Sequence, residues 1–180
     1  MTGLTKPYWD TLKAEDAENL CTLMLANKDR FQRFFPQTMG QNLTVKASRN
    51  YIEKKEKEAA LRKEYTFAIR VASLEKVLGL IILKEINWAT KQGELAYCMD
   101  RNYSGRGWAT FVVDAISEYA LEILGIETLQ IVVHRSNIAS VHVAKKCGYL
   151  WKETMIKAYT PLGEAPLDME LYELKKNEVK

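Results

Sequence analysis

The chain has 180 residues, a length that suits one compact domain with a sizeable core, and we expect a single domain over 1–180. Hydrophobic residues make up 47% and charged residues 27% of it, which excludes disordered and fibrous classes. The formal net charge of +3 is only mildly basic and the charge runs are mixed in sign, so no nucleic-acid partner is expected. No apolar run reaches the roughly 20 residues that cross a bilayer, and the N-terminus lacks a secretory pattern, so we expect a cytoplasmic protein without a membrane partner.

The hydrophobic periodicity predicts a mixed α/β fold. Predicted helices occupy 16–27, 44–63, 108–124 and 137–147, and a further short helix is predicted to end just before Pro36. Predicted strands occupy 5–13, 65–71, 77–84, 94–99, 128–134, 149–159 and 167–174. Because a helix connects the strands at 94–99 and 128–134, these two should run parallel in a mostly antiparallel central sheet with flanking helices.

The same periodicity predicts which side chains face the core. On the helices these side chains are Leu20, Leu23, Met24, Ile52, Ala59, Val112, Ile116, Ala120 and Ile123. The aromatic residues Trp9, Trp88, Tyr97 and Trp151 are also expected to be mostly buried. Cys21, Cys98 and Cys147 are scattered thiols, and only two histidines occur, so no metal site is expected.

The stretch between the strand at 94–99 and the next helix carries the clearest chemical signal. It reads Met99-Asp100-Arg101-Asn102-Tyr103-Ser104-Gly105-Arg106-Gly107-Trp108-Ala109-Thr110. Small residues at 105, 107 and 109 let the backbone approach a ligand, and a helix N-terminus favours anions. Arg106 adds a full positive charge. The pattern favours a phosphate cradle over a plain tight turn, and it is neither a P-loop nor a dinucleotide GxGxxG.

The ordered motifs resemble those of the GNAT acetyltransferases. That family carries Gln/Arg-x-x-Gly-x-Gly/Ala at this place, and its backbone amides bind the coenzyme A pyrophosphate. The chain matches the pattern at Gly107 and Ala109 and departs from it at Ser104, which is similar to the Rim-type (RimJ/RimL) ribosomal-protein N-acetyltransferase branch. The segments 137–140 (Asn-Ile-Ala-Ser) and 147–149 (Cys-Gly-Tyr) resemble the family's Asn-x-x-Ser helix and its Gly-Phe/Tyr ending.

This resemblance implies the GNAT fold and acetyl-CoA as co-substrate. The cofactor-binding residues it implies are Met99, Arg101, Ser104, Gly105, Arg106, Gly107, Trp108, Ala109, Thr110, Asn137 and Lys146. Met99 and Arg101 would contribute backbone groups from a bulge. Lys146 would meet the adenosine phosphates, although a solvated lysine at a helix end is the alternative.

Glu94 and Ser140 are the catalytic residues that the resemblance suggests. Glu94 would serve as the base, directly or through water, and Ser140 would protonate the departing sulfur, because Ala144 stands where many relatives carry a tyrosine acid. The alternatives are an ordinary strand-end glutamate and, for Asn137 and Ser140, simple helix capping.

The predicted activity is acetyl transfer to a primary amine, with a protein N-terminal α-amine favoured. A small-molecule amine acetyltransferase and a non-catalytic acyl-CoA-binding module remain open alternatives. The acceptor should be chosen by the loops at 36–44, 85–93 and 159–166. Both a monomer and a homodimer are compatible with the sequence.

Overall fold

A computed structural model describes residues 6–178 of the chain. These residues form two compact units. The first unit comprises the chain up to Ile82 together with Tyr97–Val112, and the second comprises Leu83–Ala96 together with the residues from Val113 onward. Two strands and one helix run through both units.

The strands form a mixed sheet. Their bounds are β1 Pro7–Thr11, β2 Tyr65–Val71, β3 Leu74–Asn87, β4 Gln92–Met99, β5 Thr128–Val133, β6 Leu150–Tyr159 and β7 Leu167–Lys175. Within the described residues the sheet has seven strands in the order β1-β2-β3-β4-β5-β7-β6. β4 pairs with β5 in parallel, whereas β1–β2, β5–β7 and β6–β7 are antiparallel. The predicted mostly antiparallel sheet with one parallel pair is therefore confirmed.

The helices of the first unit cover one side of its strands. They are α1 Ala17–Ala26, α2 Lys28–Phe34, α3 Pro36–Gly40 and α4 Val45–Ala60. Leu20, Leu23 and Met24 of α1 are buried in one apolar cluster with Ile52 of α4 and Leu80 of β3. The predicted inward face of α1 is thus confirmed, and Thr44 caps α4 by accepting a hydrogen bond from Ala47 N–H at 3.1 Å.

Several predicted boundaries and burials differ from the structure. β3 extends from 74 to 87, so the predicted turn at 73–76 and part of the predicted loop at 85–93 are strand, and α3 occupies much of the predicted loop at 36–44. Pro36 therefore begins a helix as well as following one, because its fixed φ suits the first helical position. Position 5 of the strand predicted at 5–13 lies outside the described residues.

The second unit contains most of α5 Trp108–Glu122 and all of α6 Ile138–Lys146. Ile116 and Ala120 of α5 are fully buried, as predicted. Ile123 is 72% exposed, so its predicted burial is wrong: it directly follows Glu122, the last residue of α5. Trp151 is also exposed, because β6 lies at the edge of the sheet.

Candidate active site

A turn with two left-handed glycines precedes α5. Gly105 and Gly107 have φ values of +75° and +74°, a conformation that side chains with a Cβ rarely adopt. Among the described residues, no heavy atom beyond their chain neighbours lies within 4 Å of the point where a Cβ would stand at either glycine. The turn therefore needs glycine for its backbone, and the space beside both glycines is open to a ligand.

The N-terminus of α5 follows this turn directly. Phe111 N–H donates to the carbonyl of Gly107 at 3.0 Å, which is the first bond of the helix, and α5 continues for 15 residues. By helix geometry the N–H groups of the first turn point away from the helix body and carry a partial positive charge. A pyrophosphate suits this arrangement, since backbone donors and a dipole end face the same open space.

The side chain of Arg106 lies over two stacked aromatic rings. Its guanidinium carbon is 5.3 Å from the ring centroids of both Tyr103 and Trp108, and these rings stack at 5.7 Å with 16° between their planes. The ammonium of Lys76 lies 5.4 Å from the Tyr103 centroid. Tyr103 thus holds two cations beside the glycine turn, a role that the sequence analysis did not assign to it or to Lys76.

Residues of α2 and its N-terminal boundary fix the start of the same segment. Asn27 Oδ1 accepts a hydrogen bond from the backbone N–H of Arg101 at 3.0 Å, and the Arg101 guanidinium pairs with Asp29. Arg30 donates to the Met99 carbonyl at 3.4 Å and lies 3.5 Å from Ser104 Oγ. The N–H of Arg101, predicted to be free, is therefore already bonded, and a contribution of Arg101 to cofactor binding stays a prediction.

The end of β4 passes very close to β3. A Cβ at Gly79 would stand 2.3 Å from the Cys98 carbonyl oxygen, so only glycine fits there. Asp100 N–H donates to the Leu78 carbonyl at 2.8 Å, and the Asp100 carboxylate accepts from Asn102 N–H at 3.0 Å. This close packing positions Met99 and the turn that follows it, and the sequence analysis missed the role of Gly79.

Four of the predicted residues lie in the second unit. Glu94 Oε1 is 3.1 Å from the ammonium of Lys84, and the Glu94 side chain is 19% exposed. Asn137 Oδ1 accepts the Ser140 backbone N–H at 3.2 Å, which confirms that Asn137 caps α6. Lys146 is exposed in the last turn of that helix. A direct chemical role for Glu94 or Ser140 stays a prediction.

Cys98, which lies on β4, and Cys147, which follows α6, are poor nucleophiles. Burial raises the pKa of the Cys98 thiol to about 12, and burial likewise raises the pKa of the Cys147 thiol to about 12. Both are therefore thiols rather than thiolates near neutral pH. Between residues 6 and 178 no group of three or more His, Cys, Asp or Glu side chains is placed to hold a metal ion. No helix in that range is long and apolar enough to cross a bilayer.

A cavity of about 360 Å³ also lies in the second unit. It is lined by Arg135, Val141, Lys145, Trp151, Glu170 and Tyr172. None of the predicted site residues lines it. Two of the lining residues, Arg135 and Glu170, form an ion pair at 2.8 Å, so the charge of the Glu170 carboxylate is neutralised.

Comparisons with known proteins identify the class of this protein as an acyltransferase. Residues 10–150 match the family model of the acetyltransferase (GNAT) domain, so the chain belongs to the GNAT acetyltransferases. It is 27% identical over 143 residues to the Probable N-acetyltransferase YjcK of Bacillus subtilis (strain 168), a match that covers 79% of each chain.

Solved structures share the fold. The ribosomal L7/L12 α-N-protein acetyltransferase RimL, in complex with coenzyme A, superposes with a TM-score of 0.88 at 16% identity and covers 99% of this chain and 98% of its own. The spermidine N-acetyltransferase of Vibrio cholerae, in complex with coenzyme A and spermine, gives a TM-score of 0.80 at 17% identity over 96% and 97%. The predicted GNAT fold is confirmed, and the likeness to a Rim-type enzyme holds at the level of fold.

Proposed function

We propose that this protein transfers the acetyl group of acetyl-CoA to a primary amine and that a peptide N-terminal α-amine is its favoured acceptor. The observation that carries the proposal is the glycine turn before α5. Gly105 and Gly107 leave open space beside backbone donors, and Arg106 adds a charge held over Tyr103 and Trp108. These are the features that a pyrophosphate needs.

The cofactor supplies an activated acetyl thioester, and the chain supplies proton transfer and positioning. In the proposed reaction the amine nitrogen forms a bond to the acetyl carbon while the carbon–sulfur bond breaks. Glu94 takes the proton that the amine loses, directly or through water. Ser140 donates a hydrogen bond or a proton to the departing sulfur, so that the products are an acetylated amine and coenzyme A.

An α-amine suits this machinery better than a lysine side chain. Its reference pKa is about 7.7–8.0, against about 10.4 for lysine, so a useful fraction is neutral at physiological pH. The α-N-protein activity of RimL supports this choice. The likeness to the spermidine N-acetyltransferase of Vibrio cholerae favours a polyamine as the second candidate acceptor.

Two measurements test the proposal. Coenzyme A at ~100 times its dissociation constant should stabilise the fold by about 2.7 kcal/mol, roughly 5–10 °C in melting temperature, and NAD or ATP should stabilise it less. Release of free thiol from acetyl-CoA should then depend on an acceptor from a panel of peptides, polyamines and aminoglycosides. Two results would contradict the proposal: a larger shift in melting temperature with NAD or ATP than with coenzyme A, or a failure of every acceptor on the panel to cause release of free thiol.

A further inference from the structure

One face of the second unit's sheet carries a set of neighbouring polar side chains. We call it the polar face, and it comprises Lys84, Gln92, Glu94, Gln130, Lys152 and Glu173. Lys84 is 3.1 Å from Glu94, and Lys152 is 2.8 Å from Glu173. Gln130 accepts from Gln92 at 2.9 Å and donates to Glu173 at 2.7 Å, so these two amides and the Lys152–Glu173 pair form one hydrogen-bonded chain beside the Lys84–Glu94 pair.

The register of the strands explains why these side chains meet. Glu94 of β4 is the Cα partner of Gln130 of β5, and Gln130 is the Cα partner of Glu173 of β7. Cross-strand partners point to the same face of a sheet. Gly93 and Leu95, which alternate with Glu94 along β4, are buried on the opposite face. The candidate base therefore belongs to a surface that includes side chains of four further strands, β3, β5, β6 and β7.

Each carboxylate of the polar face already has a lysine partner. The face carries two carboxylates, Glu94 and Glu173, and two ammonium groups, Lys84 and Lys152, so its formal charge is zero. Burial is the largest single effect on the pKa of Glu173 and raises it, but the hydrogen bonds and charges of Lys152, Gln130 and Lys175 together outweigh burial and leave this pKa below its ordinary value. The carboxylate is therefore ionised at neutral pH. A linear polycation binds best to carboxylates that have no cationic partner. On the polar face each ammonium group of such an acceptor would approach a carboxylate that is already paired with a lysine.

We propose that Lys84, through its ion pair with Glu94, selects against polycationic acceptors and in favour of an acceptor with one positive charge, such as a peptide N-terminus. This inference rests on the proposed function, because it assigns an acceptor class to the same site. Lys84 is a positioning residue. It orients the Glu94 carboxylate, and its ammonium, 3.1 Å from that carboxylate, would repel a second ammonium of a polyamine whose first amine is bound at Glu94.

The test compares two acceptors in four forms of the full chain: wild type, Lys84→Met, Lys84→Arg and Lys176→Met. The acceptors are a peptide with a free N-terminus and no lysine, and spermidine. Met retains the length of the lysine side chain without its charge, and Arg retains the charge. Lys176 is the matched control, because it pairs with Glu122 at 3.1 Å in the same unit but lies outside both the polar face and the predicted acceptor loops. Coenzyme A affinity and melting temperature are measured for every form.

Wild type should have the higher kcat/KM with the peptide. In Lys84→Met the ratio of kcat/KM for spermidine to that for the peptide should rise about five- to tenfold, whereas Lys84→Arg and Lys176→Met should keep the wild-type ratio. A merely structural role predicts equal losses with both acceptors, and that result would overturn the inference, as would a wild-type preference for spermidine. A wild-type protein that acetylates neither acceptor nor any other on the panel contradicts the proposed function itself, and the inference with it.

Discussion

The side-chain amide of Asn27 connects two segments that lie 74 positions apart in the chain. Its Oδ1 accepts the backbone N–H of Arg101 at 3.0 Å, and its Nδ2 donates to the Leu23 carbonyl at 3.0 Å. Asn27 has no exposed surface. One buried amide therefore ties the end of α1 to the start of the segment that leads into the glycine turn.

We expect Asn27→Ala to lower the free energy of unfolding by about 1–3 kcal/mol, because the buried Leu23 carbonyl and the half-buried Arg101 N–H each lose a hydrogen bond. It should also weaken coenzyme A binding, since the segment before the glycine turn is no longer anchored. Asn42→Ala is the control: Asn42 is also fully buried, and its Nδ2 donates to the Thr38 carbonyl at 2.7 Å, away from the turn. Urea denaturation and titration calorimetry measure both effects. Equal coenzyme A affinity in the two variants would show that Asn27 has only a structural role.

The glycine turn gives a second prediction. A valine at position 107 would adopt a left-handed conformation that disfavours it by roughly 1–2 kcal/mol and would project into the space assigned to the pyrophosphate. Gly163→Val is a matched control, because Gly163 has a φ of +75° and the same open surroundings in the turn between β6 and β7. Both variants should lose similar stability, but only Gly107→Val should bind coenzyme A more weakly. Unchanged affinity in a folded Gly107→Val protein would show that the cradle is misplaced.

Glu170 provides a prediction on stability and pH. Its carboxylate accepts hydrogen bonds from Trp151 Nε1 at 2.7 Å and Thr154 Oγ1 at 2.8 Å and pairs with Arg135 at 2.8 Å. The Trp151 hydrogen bond is the largest cause that lowers the Glu170 pKa below its ordinary value, and the Thr154 and Arg135 contacts lower it further against the opposing effect of burial.

Because the folded pKa lies below the unfolded one, the carboxylate contributes stability above the unfolded value of about 4.3, and this contribution is lost as the pH falls through the folded pKa. Glu170→Gln retains a hydrogen-bond acceptor but not the charge. Urea denaturation from pH 7 to pH 3 should therefore give a stability difference between wild type and variant that shrinks below about pH 4.3. A difference that stays constant over the range would contradict the assignment.

Parts of this architecture could be predicted because they follow from local rules. The parallel pairing of β4 with β5 follows from the helix that connects them, and the buried face of α1 follows from its period. The contacts of Asn27 and Arg30 with the segment after β4 could not be predicted, since they join positions about 70 apart. The Lys84–Glu94 pair could not be predicted either: both residues lie on predicted strands, but the register that places them side by side is set by pairing between strands and not by a local rule.

The roles of Ser140 and Glu94 give the last prediction. In Ser140→Ala the backbone N–H that Asn137 Oδ1 accepts is retained, so the cap of α6 should persist. If Ser140 assists the departing sulfur, kcat should fall by about 10²-fold, the low end for a general acid because a thiolate leaves easily, with little change in coenzyme A affinity. Asn137→Ala is the matched control for capping: it should lose about 1 kcal/mol of stability.

Glu94→Gln separates base catalysis from positioning by its dependence on pH. At low pH the acceptor amine is mostly protonated, so a base is needed and the variant should lose most of its rate there. Above the reference pKa of an α-amine, about 7.7–8.0, the amine is already neutral and the loss should become smaller. The measurement is kcat against pH for wild type, each single variant and the double variant, with one confirmed acceptor. A loss in Glu94→Gln that is the same at every pH would indicate a positioning role for Glu94. Full activity of the double variant over the whole range would mean that transfer proceeds by positioning alone, and neither residue would then be catalytic.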